Sequence, residues 1–157
     1  MSCTAKDAAG NESAAETFKV NVLKENAAYE WSGFLQPINT PANMAPSPYT
    51  QSIFKIGSTV PVKFKLTGAS AGITNGNFYL KYIRTGNGDG VGEIEIVATA
   101  AGNTGTQFRY DAAAGQYIFN WSTKGISASQ AGNYEVRVYT DAAFTNLLGS
   151  QSIELKK

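Results

Sequence analysis

The chain has no histidine and only one cysteine, Cys3, in its 157 residues. A single thiol cannot form a disulfide within the chain, and the absence of imidazole removes the commonest metal ligand and the commonest general base. Dyads of cysteine and histidine are excluded for the same reason. We therefore expect a protein that is not an enzyme and that has no metal site and no cofactor.

Charge of either sign is also scarce. The 13 basic and 12 acidic residues leave a net charge of +1, and charged residues make up 16% of the chain. Nucleic acids and anionic membrane surfaces are bound through clustered positive charge, so the composition predicts neither as a partner. No apolar run approaches the ~20 residues of a membrane-spanning helix, and the N-terminus lacks the basic start and apolar core of a signal peptide. We expect a chain that neither inserts into a membrane nor directs its own export.

What the sequence does contain is the alternating pattern of β-strands, which is clearest over residues 57–66. The apolar residues of this stretch fall on one face and its other residues on the opposite face: Val60, Val62, Phe64 and Leu66 against Pro61, Lys63 and Lys65. Proline has no N–H for a ladder hydrogen bond. Pro61 therefore predicts that this strand lies at a sheet edge or carries a bulge, where the two lysines would discourage further pairing.

Other strands are expected at regular spacing along the rest of the chain. They fall at 29–38, 51–56, 77–84, 93–98, 108–110, 117–121, 134–140 and 150–155. The proline-rich stretch 37–49 is expected to be extended or irregular rather than helical. This spacing predicts an all-β fold, an immunoglobulin-like antiparallel β-sandwich over residues 29–157.

An N-terminal appendage precedes the predicted sandwich. Residues 1–22 have the pattern of a β-hairpin, and residues 23–28, which are polar, are predicted to form a linker. An isolated hairpin is only marginally stable in water, so this one needs a partner sheet. Either it is the last hairpin of a neighbouring repeat, or it docks on the main sandwich as native strands.

Aromatic residues are the candidates for ligand contact. Tyr79 and Tyr139 fall on the less apolar faces of their predicted strands, and an exposed aromatic platform is one way to hold a sugar ring. The alternative is that they are cross-strand pairs that stabilise a half-exposed sheet. Trp31 and Trp121 have apolar neighbours and are predicted to lie in the core.

Two other motifs invite comparison with ligand-binding loops and with glycosidases, but neither has the arrangement that such a site needs. The glycine-rich run Gly86–Gly92 leads into a strand rather than a helix, which argues against a phosphate loop. Asn87 and Asp89 supply too few oxygens for a strong calcium site, so a hairpin turn is preferred. Glu93 and Glu95 share one strand face, where both should be solvated, whereas the carboxylates of a glycosidase face each other across a cleft.

Lys63 raises the question of an isopeptide bond, which forms in some surface proteins between lysine and an asparagine or aspartate. Such a bond needs the amine desolvated in the core, so that its pKa falls. Alternation places Lys63 on the face opposite Val62 and Phe64. A solvated or snorkelling lysine is therefore expected.

The stretch Pro61-Val62-Lys63-Phe64, taken with segments 33–39, 117–124 and 132–136, resembles the PxKF domain family. These segments span most of the chain in the same order. The resemblance implies a β-rich module near the C-terminal end of a large exported protein, often placed after immunoglobulin-like or hyalin-type repeats. Members often carry a central cysteine pair that this chain lacks, and the family supplies no catalytic residues to carry over.

A second resemblance covers the N-terminal appendage. Residues 3–11 followed by 18–22 look like the last two strands of an immunoglobulin-like extracellular repeat of the hyalin type. This resemblance implies that the rest of such a repeat lies upstream, where Cys3 could have a partner.

Both resemblances imply an extracellular or cell-surface location. We expect a non-catalytic structural or spacer module of an exported multidomain protein, with the upstream domains of the same polypeptide as its partners. The alternative is an accessory adhesion module that binds a cell-surface carbohydrate or protein and is attached to an extracellular enzyme.

Overall fold

A computed structural model describes residues 29–85 and 105–157, together with the backbone of three short strands outside these ranges. Strands dominate this part of the chain, and the helical segments are brief: α1 (Pro41–Met44) and two 3-10 turns, Gly68–Ser70 and Ala128–Gln130. The strands are β1 (Ser2–Cys3), β2 (Glu16–Thr17), β3 (Trp31–Phe34), β4 (Ser52–Lys55), β5 (Thr59–Leu66), β6 (Tyr79–Arg84), β7 (Ile96–Val97), β8 (Arg109–Asp111), β9 (Gln116–Ser122), β10 (Gly132–Tyr139) and β11 (Leu147–Lys156).

The strands form two main sheets with the core between them. One sheet has four strands in the order β3-β5-β9-β8, and the other has five in the order β4-β11-β10-β6-β7. Neighbouring strands are antiparallel except β4 and β11, which are parallel. β1 and β2 form a separate antiparallel pair. The predicted all-β sandwich is confirmed.

Aromatic rings fill the centre of the core. The Phe64 ring on β5 packs edge-on or stacked against its neighbours, with centroids 5.0–5.7 Å away: Trp31, Phe78, Phe108 and Tyr117. Trp121 is fully buried, and Trp31 packs half-buried at the margin of this cluster. The expectation of a core position is confirmed for Trp121, whereas Trp31 packs against the core from its margin.

The alternation predicted for β5 is present, but the edge position predicted for it is wrong. Val60, Val62 and Phe64 are fully buried, while β5 lies between β3 and β9. The backbone of Lys63 faces β3, because its carbonyl accepts a hydrogen bond from Leu35 N–H at 2.8 Å.

The direction in which the backbone of Pro61 faces explains why a proline is tolerated inside β5. Backbone groups two residues apart on a strand point to the same side, so Pro61, like Lys63, faces β3. The pairing of β3 with β5 covers Phe64 and Leu66 and does not extend to Pro61. The missing N–H therefore falls where no neighbouring strand needs it.

The proline-rich loop departs from the sequence prediction in one place, because it contains the one-turn helix α1. Thr40 caps this turn: its side chain accepts from the backbone of Asn43, and the Asn43 side chain accepts from Thr40 N–H. Pro41 occupies the first helical position, where its fixed φ is favourable and an N–H is not needed. The local capping residues thus outweigh the extended tendency of the prolines.

The chain enters and leaves the sandwich at opposite ends. Gly149, near the start of β11, lies so close to the Trp31 ring that a Cβ atom there would overlap it. The far end of β11 is fixed by a 2.8 Å hydrogen bond from Ile56 N–H to the carbonyl of Lys156. Gly149 and Lys156 are separated by about 23 Å of extended strand, at about 3.3 Å per residue.

Several sequence predictions lie outside the described residues. They concern the linker 23–28, the glycine-rich run Gly86–Gly92 with Asn87 and Asp89, and the carboxylates of Glu93 and Glu95. They stay predictions.

Candidate functional site

Tyr79 and Tyr139 lie side by side on the five-stranded sheet. They are directly opposite each other in the pairing of β6 with β10. Their sequence neighbours Leu80 and Val138 are fully buried in the core, so the two tyrosines point to the outer face of the sheet. The exposed fractions are only 9% for Tyr79 and 7% for Tyr139, and neither ring belongs to the main core cluster.

Phe144, from the turn between β10 and β11, covers the two tyrosines. Its ring meets both edge-on, with centroid distances of 5.8 Å to Tyr79 and 5.5 Å to Tyr139. The ammonium nitrogen of Lys81 lies 4.2 Å from the Phe144 centroid and 5.8 Å from that of Tyr139, a cation–π arrangement. We call these four residues the outer aromatic cluster.

The turn that carries Phe144 has an unusual backbone conformation. Phe144 has φ of +57°, a left-handed conformation that a residue with a large side chain rarely adopts. The Asp141 carboxylate holds the turn closed by accepting from the N–H of Asn146 at 2.8 Å and of Thr145 at 3.2 Å. Desolvation is the largest single influence on Asp141 and raises its pKa, but these hydrogen bonds together hold the pKa below its ordinary value.

Hydrogen bonding also fixes the position of Tyr79. The Gln107 side-chain amide donates to the Tyr79 hydroxyl at 2.6 Å, beside an isolated β-bridge between the same two residues. The rings of Tyr79, Tyr139 and Phe144 therefore cover one another. Gln107 fixes Tyr79 on one side, and the turn closed by Asp141 carries Phe144 on the other. The accessible apolar surface nearby is the half-buried Phe144 ring and Leu147, which is 51% exposed.

Together with Leu147, the cluster offers apolar contact, the accessible part of the Phe144 ring and one ammonium group. Sugar rings and apolar peptide side chains are the ligands that such a surface suits. The sequence placed Tyr79 and Tyr139 on outer faces but gave no reason to include Phe144 or Lys81. An apolar ring inside an otherwise small and polar turn, 140–146, is the one feature of the sequence from which Phe144 could have been found.

Groups suited to metal binding do not come together in the described ranges 29–85 and 105–157. Across these ranges, no three residues among aspartate, glutamate and cysteine are close enough to hold a metal ion. Lys63 is half-buried on the outer face of the four-stranded sheet, while Val62 and Phe64 lie in the core, as the alternation predicted. In the same part of the chain, no helix has the length and apolar character to cross a membrane.

Comparison of the chain with models of known protein families found no match, and comparison with curated proteins found none either.

Proposed function

We propose that residues 29–157 form an immunoglobulin-like, non-catalytic spacer module in an exported or cell-surface multidomain protein. Its partners are the upstream domains of the same polypeptide. The observation that carries this proposal is the placement of the chain's entry, at Trp31, and its exit, at Lys156, at opposite ends of the sandwich. Modules with that geometry join in series and add length to an assembly.

The strand order supports the immunoglobulin-like part of the proposal. β3, β5, β9 and β8 follow the order A, B, E, D of one immunoglobulin sheet, and β6, β10 and β11 follow the order C, F, G of the other. A tyrosine corner, in which a tyrosine hydroxyl bonds the backbone a few residues upstream, also lies near the start of β10. There the Tyr134 hydroxyl donates to the carbonyl of Gln130 at 2.7 Å. Val136, two residues further on, is fully buried at the position where antibody domains have a cysteine.

The pairing of β11 suits a module that carries tension. β11 lies between β4 and β10, and its last four residues, Ile153–Lys156, pair in parallel with Ser52–Lys55. A force applied between entry and exit acts along β11 and loads its hydrogen bonds on both sides together. A force applied at one end of the sandwich would instead break such bonds one after another.

Single-molecule pulling in two directions tests whether the module resists force better from end to end than at one end. In a Cys3→Ser background, one polymer is linked through Ala28→Cys and a cysteine added after Lys157, and a control polymer through Lys124→Cys and the same added cysteine. Lys124 follows Thr123, whose N–H bonds the carbonyl of Ser58 at the exit end.

We expect discrete unfolding events in the first polymer, each lengthening it by about 400 Å. Their forces should exceed those of the control. Equal or lower forces in the end-to-end direction would contradict a spacer that carries tension.

A binding module is the second candidate, and the outer aromatic cluster is the observation that favours it. In this role the module would bind a carbohydrate or protein at the cell surface, as an accessory to an extracellular enzyme. A glycan array and a pull-down on cell-wall polysaccharide test it, with Tyr79→Ala, Tyr139→Ala and Phe144→Ala as variants. Binding that is lost in these variants but kept in Lys65→Ala supports this role, and the absence of binding removes it.

A further inference from the structure

The loop that leads into β6 contains the dipeptide Asn75-Gly76, which is the sequence most prone to deamidation. In this reaction the backbone nitrogen of the glycine loses its proton and attacks Cγ of the asparagine. A bond forms between that nitrogen and Cγ, the bond from Cγ to Nδ2 breaks, and ammonia leaves. Water then opens the resulting succinimide to aspartate or isoaspartate.

Packing dictates the glycine in this pair. A Cβ atom at position 76 would lie 2.5 Å from Cε2 of Phe78 and 3.2 Å from the Tyr117 hydroxyl. Phe78 is fully buried at the centre of the aromatic core, so its ring has no room to withdraw. A bulkier residue after the asparagine, which would slow the reaction, is therefore not available to this fold.

The nitrogen that would attack is held by a neighbouring side chain. Gly76 N–H donates to the Tyr117 hydroxyl at 2.9 Å, and that hydroxyl donates in turn to the carbonyl of Ile73, also at 2.9 Å. The phenol thus bridges the two sides of the loop. Asn75 itself is exposed, so water and base reach the dipeptide.

We propose that Asn75 is a latent deamidation site and that the Tyr117 hydroxyl protects it by holding Gly76 N–H away from the Asn75 side chain. Burial is the largest influence on the Tyr117 phenol and raises its pKa, so the hydroxyl stays protonated in the mildly alkaline range where deamidation is fast. This inference does not depend on the proposed spacer function.

Peptide mapping by mass spectrometry tests the proposal, because replacement of the side-chain NH2 by OH changes the mass of the peptide that contains Asn75. The folded protein, Tyr117→Phe and Tyr134→Phe are incubated at mildly alkaline pH, and each is also incubated in denaturant. Tyr134→Phe is the matched control, since it removes another buried hydroxyl that donates to a backbone carbonyl, but one in a different loop.

We expect the folded wild-type protein to deamidate at Asn75 far more slowly than its denatured chain. Tyr117→Phe should raise the folded rate roughly fivefold, the factor that corresponds to the net worth of one hydrogen bond. Tyr134→Phe should leave it unchanged, and all three chains should react alike in denaturant. An unchanged rate in Tyr117→Phe, or an equal increase in Tyr134→Phe, would overturn the proposal.

A measurement on the unmodified protein makes the test independent of how well the variants fold. Exchange of the Gly76 amide hydrogen with solvent should be slow in the native state. Exchange at the rate of an unprotected amide would also overturn the proposal.

Discussion

The outer faces of the two sheets differ. On the four-stranded sheet, Lys63 and Lys65 meet solvent on the outer face of β5, the ordinary result for a sheet with one buried face. On the five-stranded sheet, Tyr79, Ile83 and Tyr139 are almost fully buried although they point away from the core. The second sheet therefore packs apolar groups on both faces, with Phe144 as part of the outer packing.

The difference implies that the two clusters contribute unequally to stability. We call Phe64 and the rings packed around it the inner cluster: Trp31, Phe78, Phe108 and Tyr117. The inner cluster is enclosed by both sheets, whereas the outer aromatic cluster lies on one sheet and under one turn. Substitutions in each cluster measure how unequal these contributions are.

The largest effect is expected for Phe64→Ala. This substitution removes a fully buried ring with four aromatic neighbours and should lower the free energy of unfolding by about 3–5 kcal/mol. Urea denaturation followed by tryptophan fluorescence measures it. Lys65→Ala, on the solvent side of the same strand, should change stability by no more than about 0.5 kcal/mol. A larger loss from Lys65→Ala than from Phe64→Ala would show that the faces of β5 are assigned wrongly.

A smaller effect is expected for Tyr139→Ala in the outer aromatic cluster. The ring is buried but is enclosed less completely, so we expect a loss of about 2 kcal/mol. The same urea titration applies, with Tyr139→Phe as the control that keeps the ring and should lose less. If Tyr139→Ala cost as much as Phe64→Ala, the two clusters would contribute equally to stability.

The smallest effect concerns Asp141, which closes the turn that carries Phe144. Its pKa is lower in the folded protein than the ordinary value near 4, so it contributes stability above that value. This contribution is lost as the pH falls through the folded pKa. Asp141→Asn should therefore lose less stability than the wild-type protein between neutral pH and about pH 3, as measured by urea midpoints. Identical losses would show that the carboxylate does not hold the turn.

The inner cluster was largely predictable from the sequence, and the outer one was not. Alternation in β5 reports directly which side chains face the core, because the period of a strand is two residues. It does not report which strands are neighbours, and so Pro61 suggested an edge strand where the structure has an early end to β3. The same limit applies to Tyr79 and Tyr139, whose outward direction was predicted but whose pairing depends on β6 lying next to β10.

Phe144 marks the furthest limit of prediction from sequence. Its contact with Tyr79 joins residues far apart in the chain, and its positive φ occurs in a turn that the Asp141 carboxylate closes. Local propensity disfavours that conformation, so only the folded sheet supplies a reason for it.

The position of β11 sets the order in which the molecule can assemble. Residues 147–156 are made after all the other strands described here, yet they fill the gap between β4 and β10. While the ribosome is still translating this segment, β4 has no strand to pair with and the larger sheet stays open. The sandwich therefore closes only once β11 has emerged, and until then the nascent chain holds an incomplete sheet with unpaired backbone groups on β4 and β10.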